Sequence, residues 1–298
     1  MKDNLHSYMK VGIVQLMAYP ETDTVESIRK IADDAFFGAI EIASIPEDIK
    51  GEVILILEAS HLVIGYVGQP LLLNNKLDLN SLVTQQREAA ISAIKGGIDE
   101  AYLLGAKQLA VLSGPAPARE KRAQAKEVLV DSLSQICSYA QSRGDLGITM
   151  EIFDREYDKK CLIGPTEEAV EVAKEVKRRY SNFGLMIDLS HLPLLKETPS
   201  YAVKTAKNYL THVHIGSCIL KDKSHPAYGD KHPPFGMAVG ENDVEEVKLF
   251  LKALMEIEYI GEGKQNVVAF EVKPLSGQSP DVVVANAKRT LMEAWARL

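Results

Sequence analysis

A chain of 298 residues with 46% hydrophobic and 25% charged side chains can bury a large core, which excludes wholesale disorder, collagen and a disulfide-built miniature scaffold. The balance of 34 Lys+Arg against 41 Asp+Glu, net −7, argues against affinity won by neutralising phosphates, so no nucleic-acid partner is expected. Cys137, Cys161 and Cys218 form no CxxC pair and read as buried thiols; with a polar start from Met1 to Lys10 and no apolar run near the roughly 18 residues of a membrane span, a soluble cytoplasmic setting with no membrane partner is expected.

In chain order, short β-branched apolar runs predict strands at Lys10 to Gln15, Gly38 to Ala43, His61 to Val67, Gln108 to Leu112, Gly147 to Phe153, Gly184 to Leu189, His212 to Gly216 and Val267 to Val272. Segments with helical spacing follow each of them: Thr24 to Ala35, Glu47 to Ser60, Ser81 to Leu104, Arg119 to Arg143, Thr166 to Tyr180, Pro199 to Tyr209, Asp243 to Glu258 and Ser279 to Arg297. Start signals include Pro165-Thr166 with Glu168, and Asn242-Asp243 with Glu245-Glu246.

A strand followed by a crossover helix returns as a parallel neighbour, so eight such units predict an α/β fold closed as a (β/α)8 TIM barrel. An open doubly wound sheet is disfavoured, because no Gly-x-Gly-x-x-Gly turn follows the first strand. No linker or composition shift interrupts the chain, so residues 1–298 read as one domain. The stretch 217–242, rich in Gly, Pro, His and Lys, follows the seventh strand and should lie at the active-site rim. Gly229, Gly236 and Gly240 would be its hinges, with Asp230, His232 and Phe235 closing as a lid.

Four consecutive strands bury an ionisable group near their C-terminal ends: Glu151, Asp188, His214 and Glu271. A lone carboxylate in such a run costs several kcal/mol unless paired or metal-bound. On a barrel the four converge, and three carboxylates with one imidazole suit one divalent cation such as Mn²⁺, Mg²⁺, Co²⁺ or Zn²⁺. His212 shares the face of His214 but lies deeper, as a core or supporting histidine. Taken singly, Glu151 or Glu271 could equally be a structural ion-pair partner.

These residues carry a resemblance. Asp188-x-x-His191, His212-x-His214 on the next strand, Glu151 before and Glu271 after resemble the sugar isomerase/epimerase family with a xylose-isomerase-like barrel. The resemblance implies that Glu151, Asp188, His214 and Glu271 hold one divalent metal and that Glu151 and Glu271 act on substrate protons. It also implies an enediolate mechanism on a ketose or related sugar, free or phosphorylated, with His191 bonded to a substrate oxygen. Around them, Lys273 could stabilise an oxyanion or be a solvated cap. Glu41 could bind a sugar hydroxyl or orient a ligand, Arg155 could meet a phosphate or pair with Asp154 or Glu156, and His232 could reach the substrate from the loop. A small-molecule sugar is the expected partner, and the sequence admits a homo-oligomer.

Three rivals follow from the same residues. A metal-dependent dehydratase of the inosose or dehydroshikimate type begins with the same proton abstraction. A barrel that only binds a sugar would keep the same residues without turnover. Endonuclease IV has an Asp-x-His zinc pair like Asp230-Lys231-His232, but it needs histidines after the third and fourth strands, which here read Val67-Gly68-Gln69 and Leu112-Ser113-Gly114.

Overall fold

All eight apolar runs are strands in the computed structural model, which describes residues 4–298; residues 1–3 of the polar start lie outside the described residues. They are β1 (Lys10–Ile13), β2 (Ala39–Ile42), β3 (Val63–Val67), β4 (Gln108–Leu112), β5 (Gly147–Glu151), β6 (Phe183–Asp188), β7 (Leu210–Ile215) and β8 (Val267–Phe270). Every pairing is parallel, in the order β1-β8-β7-β6-β5-β4-β3-β2. Among the described residues no full ladder joins β1 to β2. A bridge between Val14 and Glu41 and a 2.8 Å hydrogen bond from the Gly38 N–H to the Val11 carbonyl close the barrel there.

The helices are α1 (Gln15–Ala18), α2 (Thr24–Ala32), α3 (Glu47–Ser60), α4 (Gln69–Leu73), α5 (Thr84–Leu103), α6 (Arg122–Arg143), α7 (Thr166–Lys177), α8 (Leu192–Leu195), α9 (Pro199–Ala206), α10 (Val244–Glu256) and α11 (Pro280–Ala296). The eight longer ones are the crossovers expected from periodicity. The short α1, α4 and α8 were not expected; they turn the chain directly after β1, β3 and β6.

Local chemistry explains the boundaries. At α10 the Asp243 side chain and Glu246 form a reciprocal capping box. Pro165 makes no side-chain cap at α7; instead the Thr166 N–H donates to Glu197 at 3.0 Å. The first run ends two residues early because Gln15 turns into α1, where its amide donates to the Ser27 hydroxyl at 2.7 Å. β8 stops at Phe270, so Glu271 stands just beyond the strand with its N–H bonded to the Ile215 carbonyl at 3.0 Å.

The apolar sides of the crossover helices pack on the outer faces of the strands, burying residues such as Ile28, Val53, Ile94, Leu129, Phe250 and Leu291. Inside, space is short: a Cβ on Gly12 would come within 3.0 Å of the Ala269 and Val267 side chains. Between β6 and β7 the register skips Thr211, since Leu185 faces Leu210 and Met186 faces His212. This bulge sets the phase in which His212 and His214 face the barrel axis. Among the described residues no helix is long and apolar enough to cross a membrane. Cys137, Cys161 and Cys218 are free and buried.

Candidate metal centre

β5 ends on Glu151, β6 on Asp188, and His214 is the penultimate residue of β7. In register Asp188 faces His214, whereas Glu151 faces Met186 two residues before Asp188 and His214 faces Ala269 two residues before Glu271, so the four step along successive strands toward one end of the barrel. One ligand atom from each of Glu151, Asp188, His214 and Glu271 lies within 4.8 Å of all the others. Glu151 Oε1 and Asp188 Oδ2 are buried without a hydrogen-bond partner. Bare carboxylate oxygens so close are unfavourable unless a cation lies among them, and three carboxylates with one imidazole are a donor set for a hard or borderline divalent ion. The residues therefore fit the expected group. Asp188, His191 and His232 form a second such grouping, and Glu41, His212 and His214 a third.

The third grouping explains how His214 is aimed. Glu41 is 3% exposed and accepts from His212 Nε2 at 2.7 Å and from His214 Nε2 at 3.0 Å. With Nε2–H engaged, Nδ1 is the nitrogen turned toward Glu271, 2.8 Å away, and Asp188, 3.8 Å away. A carboxylate on the far side of a ligand imidazole fixes its tautomer and raises its basicity. Gly65 makes room for this, since a Cβ there would stand 2.9 Å from Glu41 Cγ. Glu41, expected either to bind a sugar hydroxyl or to orient a ligand, contacts both imidazoles and does not line the cavity above.

The loop after β7 brings in Asp230 and His232. His191 donates from Nδ1 to the Ile152 carbonyl at 2.8 Å, which turns Nε2 toward Asp230 Oδ1 at 3.1 Å, and His232 Nε2 is 3.0 Å from the same oxygen. His232 also lies 3.4 Å from Glu271 and adopts a left-handed backbone, φ 51°, uncommon for a residue with a side chain. Gly216 permits the approach: a Cβ would sit 2.5 Å from the Glu271 carbonyl and 3.2 Å from His232 Nδ1. Phe235 is buried in the hydrophobic core rather than over the cavity, and Gly240 lacks the positive φ of Gly229 and Gly236.

A cavity of about 220 Å³ opens over the cluster, its walls including Glu151, His214, Glu271, Phe153, Met17 and Gln69. Arg155 does not reach it; its guanidinium forks onto Glu168 at 2.8 and 2.9 Å, neither of the partners expected for it. Lys273 borders a second cavity, and its N–H donates to the His232 carbonyl at 2.7 Å. Three residues of the site went unnoticed in the sequence. Gln69, at the start of α4, donates to Glu151 Oε2 at 2.6 Å. Lys159 donates to Asp230 Oδ2 at 2.9 Å. Asp154 shapes the loop carrying that lysine by accepting the N–H groups of Tyr157, Asp158 and Lys159 at 2.6, 2.9 and 2.9 Å. The available signal was the length of segment 152–165, a connection without regular helix or strand.

The charges sort the cluster. Burial, against the pull of His191, pushes Glu151 above the ordinary carboxylate range. Burial acts the same way on Glu271, but His232 and His214 hold it below that range. Despite burial, Glu41 and Glu271 hold His214 well above the usual imidazole value, and Glu271 and Asp230 raise His232 to about 9. Carboxylates whose environments push them apart are suited to opposite proton-transfer roles.

The family model for the xylose isomerase-like TIM barrel matches residues 20–284. The chain belongs to this family. A D-psicose 3-epimerase from Ruminiclostridium cellulolyticum is 28% identical over 92 residues, 31% of this chain and 30% of that relative. Among solved structures, an L-ribulose 3-epimerase superposes with a TM-score of 0.73 at 16% identity, covering 97% of this chain and 96% of its own. The IOLI protein with a bound zinc atom reaches a TM-score of 0.74 at 16% identity, covering 97% and 99%. At these identities the superpositions establish the shared barrel.

Proposed function

We propose that this member of the xylose isomerase-like barrels is a divalent-metal-dependent epimerase or isomerase of a ketose or related sugar. The observation that carries it is the convergence of Glu151, Asp188, His214 and Glu271 within 4.8 Å at the floor of a 220 Å³ cavity. The activities named for the ketose epimerases that resemble it support the substrate class. Glu151, Asp188, His214 and Glu271 would hold the divalent cation, which would supply Lewis acidity beside the substrate carbonyl.

The chain's own groups then divide the work. One of Glu151 and Glu271 removes the proton from the carbon beside the carbonyl and the other returns it; return to the opposite face gives epimerisation, return to the adjacent carbon gives isomerisation. Gln69 holds the Glu151 carboxylate in position through Oε2. His191, expected to meet a substrate oxygen, turns Nε2 onto Asp230 Oδ1 at 3.1 Å and does not line the cavity, so in this reading it holds Asp230 rather than the sugar. Leu16, Met17, Val67 and Phe153 line the cavity with apolar surface that keeps water from the intermediate.

The test is solvent deuterium exchange on ketoses with the manganese-loaded protein. Wash-in at the carbon beside the carbonyl, without loss of water, is expected, and Glu151→Gln and Glu271→Gln should each lower it by about 10²–10⁴-fold. Unchanged exchange in both variants would overturn the acid/base assignment. Ultraviolet absorbance from an enone product would make the protein a dehydratase instead.

A further inference from the structure

Beside the metal cavity lies a larger one of about 530 Å³, and the two share Met17, Lys159 and Asp230 in their walls. The distribution of charge around it is unlike that of the whole chain. The protein carries a net charge of −7, whereas this wall presents Lys159, Lys231 and Lys273 against the single carboxylate of Asp230.

Two of those lysines are engaged. Lys159 is 2.9 Å from Asp230, and Lys231 is 3.0 Å from Asp158. Lys273 is different, because among the described residues its ammonium has no carboxylate within the 4.0 Å of an ion pair. Its backbone is held through the bond from its N–H to the His232 carbonyl, so its exposed side chain is rooted at the mouth of this cavity. His225 adds a donor: its Nδ1 accepts the Ala227 N–H at 3.0 Å, which leaves the proton on Nε2.

We propose that the substrate is an anion-ended sugar, its carbonyl end over the metal cluster and a terminal oxyanion, phosphate or carboxylate, bound in the larger cavity by Lys273, His225 and Lys231. The inference rests on the ketose reading above. A neutral ketose would leave the exposed Lys273 ammonium to water and gain nothing from it, whereas an oxyanion in this cavity can take charge-assisted hydrogen bonds from Lys273 and the His225 Nε2–H. The joined cavities fall within the roughly 300–1,000 Å³ of small-molecule sites, ample for a sugar with such a tail.

Manganese-loaded protein assayed on D-ribulose and D-ribulose 5-phosphate, on D-fructose and D-fructose 6-phosphate, and on D-fructuronate provides the test. An anion-ended ketose should show a kcat/KM at least about tenfold above its neutral counterpart, carried by KM, and Lys273→Gln should cut that ratio about tenfold while Lys273→Arg restores most of it. Preference for the phosphate or for the uronate identifies the oxyanion. Neutral ketoses handled as well as anionic ones, or a ratio untouched by Lys273→Gln, would overturn the inference and leave the ketose reading standing. If no ketose of either kind exchanges, the ketose reading fails, and calorimetric binding of inorganic phosphate to the manganese-loaded protein decides the anion site. Affinity about tenfold weaker in Lys273→Gln supports the site, and equal affinity overturns it.

Discussion

Two carboxylates compete for the imidazole of His214, and the outcome fixes what the residue can do. Glu41 takes Nε2–H from below, so Nδ1 is the nitrogen offered to the cluster. Replacing Glu41 with Gln keeps the shape but removes the charge that makes the imidazole a strong donor. Manganese affinity, followed by electron paramagnetic resonance titration, should fall about 10- to 100-fold, and an unaltered affinity would show that Glu41 does not support the ligand. The cluster itself was legible in the sequence, because an ionisable residue at the end of an apolar strand is conspicuous and its inward direction follows from the period of two. Gln69 and Lys159 were not, since a Gln after a strand or a Lys in a loop has no local feature that separates a buried contact from a solvated one. Arg155 shows the converse: its sequence neighbours suggested partners, whereas its actual partner, Glu168, arrives from the first turn of α7.

That ion pair belongs to the elements rather than to the chemistry. It ties the segment after β5 to α7, and the hydrogen bond from Arg155 holds the Glu168 carboxyl below its ordinary range. A group so shifted contributes stability above the ordinary glutamate value, and the contribution disappears as pH falls below it. Glu168→Gln should therefore lower stability at pH 7 by roughly 1–2 kcal/mol, in urea unfolding, with the gap shrinking below about pH 4.3; a gap that persists at pH 3 would assign the loss to packing. The crossover helices were legible because each runs long enough for an apolar stripe to repeat. The turns α1, α4 and α8, four or five residues each, are too short to show a period. Those turns carry part of the cavity wall, as Leu16 and Met17 on α1 and Gln69, Pro70 and Leu73 on α4. In the long loop glycine spacing suggested hinges, but bridges from Ile219 to Gly229 and Gly240 and the Asn242 bonds to Leu189 and Gly216 anchor it.

For the molecule as a whole, cation binding and proton loss are linked. His214 is held well above its ordinary value, and burial pushes Glu151 above its own, so a cation entering the cluster would compete with protons at both. Its binding should therefore release protons and strengthen as pH rises. With manganese at about 100 times the dissociation constant the fold should gain about 2.7 kcal/mol, seen as a rise in thermal midpoint of a few degrees, larger at pH 8 than at pH 6 at the same manganese concentration. An equal rise at both would show that the cation settles elsewhere. Strand order followed from strict βα alternation, but where the barrel is least stitched did not, because pairing strength between the first and second strands depends on backbone register. That seam borders the strand bearing Glu41. Slackening along it would reach the grip on His214 before the other residues of the cluster, so breathing at this seam would loosen the hold on a cation bound there, and a filled site would in turn brace the sparsely bonded edge.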